Sequence, residues 1–158
     1  MDIQARQRRS TSERGTAIVE SAIILPVFFL LLFGVFEAGR FMNTQQVLTD
    51  AAREGARLAV TPLTQTNTLP STGEITTRVN DFLSSASITG ATVTCEKGDT
   101  TPGCPYNAAL AVVTGSITTT YTRVRVDEPY QVLTVPGFFS MLQVTLRGEA
   151  LMRNETSE

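Results

Sequence analysis

One segment decides what this chain can fold into. From Thr16 to Phe36, twenty-one consecutive residues carry a single charge, that of Glu20. The sixteen from Ser21 to Phe36, SAIILPVFFLLLFGVF, carry none. At ~1.5 Å of rise per residue, such a helix spans roughly 31 Å, about one hydrocarbon core. A core helix of a small soluble domain would keep a polar face, and this stretch has none. It reads as a membrane span.

The flanks orient it. Arg6, Arg8, Arg9 and Arg14 outnumber Asp2 and Glu13, so residues 1–15 carry +2. The positive-inside rule puts that end in the cytoplasm. Residues 16–158 carry 9 basic and 13 acidic side chains, or −4, and their polar part is expected on the exported side. A cleavable secretory signal fits poorly. The apolar run exceeds the usual ~7–15 residues, and a cut after Ala38 would put bulky Phe36 where a small residue belongs. An uncleaved signal anchor stays open.

Composition narrows the chemistry. The 158 residues contain no His, two Cys, one Lys and a net charge of −2. Without His the commonest general base and metal ligand are missing. Two Cys are too few for a four-thiolate zinc site. The charge gives no pull toward nucleic acid. No nucleophile–base constellation stands out, and adjacent Asp127 and Glu128 would point to opposite faces of a strand. Neither enzyme, cofactor nor metal site is expected.

The junction reads ERG-TAIVE-SAIILP. A basic leader ends at Gly15, and Glu20 follows five residues later. This resembles the type IV prepilin signal. In that signal a membrane peptidase cuts after the Gly, and the fifth mature residue is Glu. The resemblance implies cleavage between Gly15 and Thr16. A carboxylate in hydrocarbon costs ~2.5–3.5 kcal/mol on insertion scales unless partnered. The α-ammonium created at Thr16 would be such a partner, in the same chain or in a neighbour. In the neighbour it would set the register of packed subunits. The plainer alternative for Glu20 is snorkelling to the headgroups. Pro26 removes the N–H that would bind the Ala22 carbonyl, so a kink is expected there rather than a helix end, with Ser21 near enough to help.

Helical patterning continues past the span. Glu37/Arg40, Asp50/Arg53 and Glu54/Arg57 are spaced i, i+3. A helix over 16–60 is expected, with 16–36 in the membrane and 37–60 as a stalk. Phe41, Val47, Leu48, Ala51, Ala52, Gly55, Leu58 and Ala59 form one apolar face. Within it, Ala51, Gly55 and Ala59 make a row of small residues that permits close packing, on the chain's own C-terminal part or on other chains.

These motifs together resemble the opening of TadE-like proteins, pilin-like components of the Tad (Flp) tight-adherence pilus. The matching positions are Glu13–Gly15, Val19–Glu20, Leu25–Pro26, Phe33–Gly34, Glu37, Gly39–Arg40 and Ala51–Arg57. A weaker similarity returns at Val124, Val126, Pro129, Tyr130, Ala150, Met152 and Arg153. The resemblance implies a minor, pseudopilin-like subunit that acts in pilus assembly and surface adherence. Its implied partners are a prepilin peptidase, other pilin-like subunits, an inner-membrane assembly platform and membrane lipid. An unprocessed bitopic protein with a ligand-binding exported head is the alternative.

Residues 61–72 read as a linker and 73–158 as an exported α+β head. Ile75, Val79, Phe82 and Leu83 space a short amphipathic helix, capped by Ser71 or Thr72. Three to four antiparallel strands follow: 91–96, one or two within 109–126 with Gly115 as turn or bulge, and 143–153. Residues 129–142 read as a loop, whose VPGFFSML is either a core plug or an outward contact. Cys95 and Cys104 flank EKGDTTPG. In an oxidising compartment they are expected to form a structural disulfide, since C-x8-C without His fits neither a redox nor a metal motif.

Overall fold

The computed structural model describes residues 3–63, 68–132 and 143–154, with side chains from Gly15 onward. The class is α+β. A long N-terminal helix, α1 (Ile3–Val60), precedes α2 (Thr72–Ser85), β1 (Thr92–Lys97), a 3-10 turn (Ala108–Leu110), β2 (Ala111–Thr114), β3 (Ile117–Gln131) and β4 (Gln143–Arg153). The chain divides into two compact units, Met1–Arg40 and Phe41–Glu158. The second half of α1 therefore belongs to the head unit, whereas the expected head began at residue 73.

In the first unit α1 continues through Pro26. The segment from Gly15 is apolar enough to cross a membrane, with a mean hydropathy of 2.5 over its best window. Large side chains such as Ile24, Phe28, Leu31 and Phe33 are half or more exposed, as expected of a surface meant for lipid or other helices.

The head is a four-stranded antiparallel sheet centred on β3, which pairs with β1, β2 and β4. β2 and β3 form a two-residue hairpin closed by Thr114↔Ile117, with Gly115 at φ 66°. That left-handed conformation suits glycine and no branched residue. Strict alternation in β3 buries Thr120, Thr122, Val124 and Val126 on one face. Against that face pack Leu48, Ala51, Ala52, Ala56 and Ala59 of α1 and Ile75, Val79 and Leu83 of α2. The start of α2 is a capping box. The Ser71 hydroxyl accepts from the Glu74 N–H, and Glu74 accepts from the Ser71 N–H. These hydrogen bonds, from the backbone first, hold the Glu74 carboxyl below its ordinary pKa.

Two expectations need correction. Residues 129–131 are not loop, because β3 runs through Pro129 to Gln131. Odd-numbered residues of β3 turn their backbone groups toward β1, as the Gly98 N–H to Tyr121 carbonyl bond shows. The β1 ladder ends at Thr92↔Asp127, so the missing N–H of Pro129 faces no partner strand and costs nothing there. Lys97, one residue beyond the expected strand 91–96, closes β1 and is only 2% exposed. The 133–142 part of the expected loop, with its VPGFFSML, lies outside the described residues.

Candidate functional site

The candidate processing site lies on exposed helix. Gly15 has no atom within 4 Å of where a Cβ would stand, and Thr16 and Glu20 are exposed. Four residues, just over one turn of helix, thus separate Thr16 from Glu20, along one side of α1. The Ser21 hydroxyl donates to the Ala17 carbonyl at 2.8 Å. It is therefore engaged one turn before Ala22, the carbonyl that Pro26 leaves without its helical donor. At the end of this unit Arg40 pairs with Glu37 at 3.0 Å.

The small-residue row sits inside the head. Ala51 is fully buried, and Ala59 is 2% exposed. A Cβ on Gly55 would stand 2.6 Å from Val79 Cγ2 and 3.2 Å from Val124 Cγ1. Ala51, Gly55 and Ala59 thus let α1 approach α2 and β3 within its own chain. Ala56, absent from the expected face, is fully buried as well. The wider face follows from an α1 wedged between a helix and a sheet, which periodicity alone does not signal. The closest approach is at β4. A Cβ on Gly148 would collide with the Leu48 carbonyl group, and Gln45 Nε2 donates to the Arg147 carbonyl at 2.6 Å.

Of the three expected i, i+3 pairs, two form: Glu37–Arg40 and Asp50–Arg53, the latter at 3.1 Å. The third does not, because Glu54 pairs with Arg78 of α2 through both Nε (3.1 Å) and Nη2 (2.8 Å). A forked guanidinium from a packed neighbour fits a carboxylate better than a residue one turn along the same helix.

Cys95 and Cys104 are bonded, with Cα atoms 5.4 Å apart. The loop they close supplies a polar cluster that sequence reading missed. Lys97 Nζ donates to Thr101 Oγ1 at 2.7 Å and lies 3.6 Å from Asp99. Asn154 Nδ2 donates to Asp99 Oδ2 at 2.6 Å, and the Thr122 hydroxyl donates to Asn154 Oδ1 at 2.6 Å. Burial opposes ionisation of Asp99. Donors from Thr101 and Asn154 and the charge on Lys97 outweigh it and hold the carboxyl below its ordinary pKa. The cluster ties the disulfide loop to the end of β4. A lone lysine beside a cysteine was the available signal, since a buried ammonium needs partners close by.

The outer face of the sheet carries alternating charges. Arg123 bonds Glu96, Arg125 bonds Glu149 at 3.3 Å, and Arg147 bonds Asp127 at 2.6 Å. Hydrogen bonds from Arg123 and Asn107 hold Glu96 below its ordinary pKa. On the inner face Glu128 differs. Burial raises its pKa, and its Oε2 finds no hydrogen-bond partner among the described residues.

No curated protein and no solved structure matches this chain significantly. A family model does. Residues 15–57 match the model described as TadE-like protein, a stretch that runs from the candidate cleavage point into the packed half of α1.

Proposed function

We propose that this chain is a minor, pseudopilin-like subunit of a Tad-type pilus, acting in pilus assembly and surface adherence. The observation that carries the reading is the position of the family match, which begins at Gly15. That residue ends the charged leader and opens an exposed apolar helix containing one carboxylate. On this reading a prepilin peptidase cuts between Gly15 and Thr16 at the cytoplasmic face. The mature chain stays in the inner membrane with its head exported. Its helix then packs among those of other pilin-like subunits on an assembly platform. The new Thr16 ammonium and Glu20 compensate each other's charge across subunits and fix their axial register. The chain has no catalytic task. Its work is packing, and its head is a rigid block held by a disulfide and a buried polar cluster.

The test is the N-terminus of protein extracted from its native membrane. A chain that begins at Thr16 supports the reading, and processing should stop in a Gly15 variant that still inserts. An intact Met1 in functional protein overturns it. Glu20→Ala should insert normally yet fail to enter filaments. Normal incorporation would return Glu20 to a headgroup-seeking role.

A further inference from the structure

The edge of the sheet at β4 has an unusual pattern. β4 pairs with β3 along eleven positions and with no other strand among the described residues. Its even-numbered residues turn their backbone groups toward β3, as the Asn154 N–H to Thr120 carbonyl bond shows. Its odd-numbered residues, Thr145, Arg147, Glu149 and Leu151, therefore turn theirs outward. The Gln45 bond to the Arg147 carbonyl agrees. It uses one of that oxygen's two acceptor positions. Such an edge is a template for another strand unless it is blunted. No proline interrupts QVTLRGEALMR. The side chains above the outward groups stay accessible: Arg147 at 55%, Glu149 at 41% and Leu151 at 53% exposure.

We propose that β4 pairs antiparallel with β4 of a second copy of this chain, about a two-fold axis at Gly148. The argument is charge complementarity. In that register Arg147 stands opposite Glu149 of the other copy, twice by symmetry. Gln143 meets Arg153, and Thr145 meets Leu151. Opposite charges directly across a ladder stabilise it, and like charges there oppose it. Sliding by two residues is the smallest slip that keeps the same backbone groups facing each other. A slip one way puts Arg147 opposite Arg147, and a slip the other way puts Glu149 opposite Glu149. Charges that would normally blunt the edge thus permit the centred register and penalise its neighbours. On the inner face Leu146 would meet Ala150, and partly exposed Val144 would meet Met152, extending the apolar layer across the join. A two-fold, self-complementary patch is the ordinary form of a homodimer interface. This inference does not depend on processing at Gly15 or on the pilus reading.

The test uses the full chain in detergent micelles, with the native disulfide intact, carrying Thr145→Cys and Leu151→Cys together. Within one chain these positions are six residues apart on a strand, roughly 20 Å, too far to bridge. Oxidation should therefore give a covalent dimer whose linkage maps to Cys at 145 of one copy and 151 of the other. Either substitution alone should leave monomer. Adding Glu149→Pro removes an outward N–H and the charge opposite Arg147, and with that carboxylate the exposed ion pairs to Arg125 and Arg123, but no backbone bond to β3. It should abolish the dimer while head melting is retained. Monomer only in the double variant overturns the proposal. So does crosslinking by the single variants as readily as by the pair, which is what association through the apolar helices alone would give. If Glu149→Pro unfolds the head, the contrast between pair and singles decides the matter.

Discussion

The two halves of α1 are one helix by backbone and opposites by side chain. In residues 15–40 the helix is rich in Phe, Leu and Ile, and nearly all of it is exposed. In residues 41–60 the buried positions are Leu48, Ala51, Ala52, Gly55, Ala56 and Ala59. The more apolar half is bare, and the half with small residues is packed. Hydropathy therefore marks the solvent a helix is built for, and residue size marks how closely its neighbours come. Bulky side chains suit lipid or another subunit, whereas alanine and glycine let the backbone lie against a sheet.

Gly148→Ala should be among the most damaging small changes in the head. The new methyl would meet the Leu48 carbonyl group, which is helix backbone and cannot rotate away. A loss of about 2–3 kcal/mol is expected, in the range of overpacked cores, read as a lowered Cm in denaturant melts. An unchanged Cm would mean that the close contact between helix and edge strand is absent in solution.

Glycines on α1 sharpen the contrast between its halves. Gly55→Ala would press against Val79 Cγ2 and Val124 Cγ1. Part of that cost is offset by the gain of about 1 kcal/mol in helix propensity, so a net loss of about 1 kcal/mol is expected. Gly39→Ala meets nothing within 4 Å and should leave head melting unchanged while slowing amide exchange locally. If the two variants melted alike, the division of the helix near Arg40 would be wrong.

Much of this was legible before the structure because it rests on local physics. The span follows from an unbroken apolar run, and the strands from alternation. The β2–β3 turn is one of the two readings that Gly115 allows, and Ser71 is one of the two candidate caps of α2. What was not legible depends on neighbours distant in sequence. Glu54 had an available partner at Arg57, and only the placement of α2 brings Arg78 to it. Ala56 lies outside a one-sided apolar stripe and is buried because α1 has neighbours on two sides. Pro129 argues against a strand interior until β1 is seen to stop short of it. Lys97 and Asp99 lie beyond the expected strand 91–96, and only the fold brings Asp99 to Asn154 with Lys97 beside it. For the candidate site, Gly15, Glu20 and Pro26 could be named from spacing. The packing role of Gly55 within its own chain needed the fold.

Glu128 offers the smallest effect and the sharpest sign. It occupies the inner face of β3 opposite Leu146. Burial raises its pKa above the ordinary value of 4.5. A group that binds its proton more tightly when folded contributes most below its unfolded pKa, and that contribution is lost as pH rises through the folded value. Ionisation as pH rises therefore puts a negative charge on a carboxylate whose Oε2 lacks a donor among the described residues. Glu128→Gln replaces it with a neutral group of the same shape. Its melting temperature should exceed that of the parent near neutral pH, and the difference should shrink toward zero as pH falls below 4.5. Asp99, whose pKa is lowered, works in the other direction, destabilising both proteins equally in acid and leaving the difference intact. A difference that stayed constant across that range would assign the effect to packing and remove the buried charge from the account.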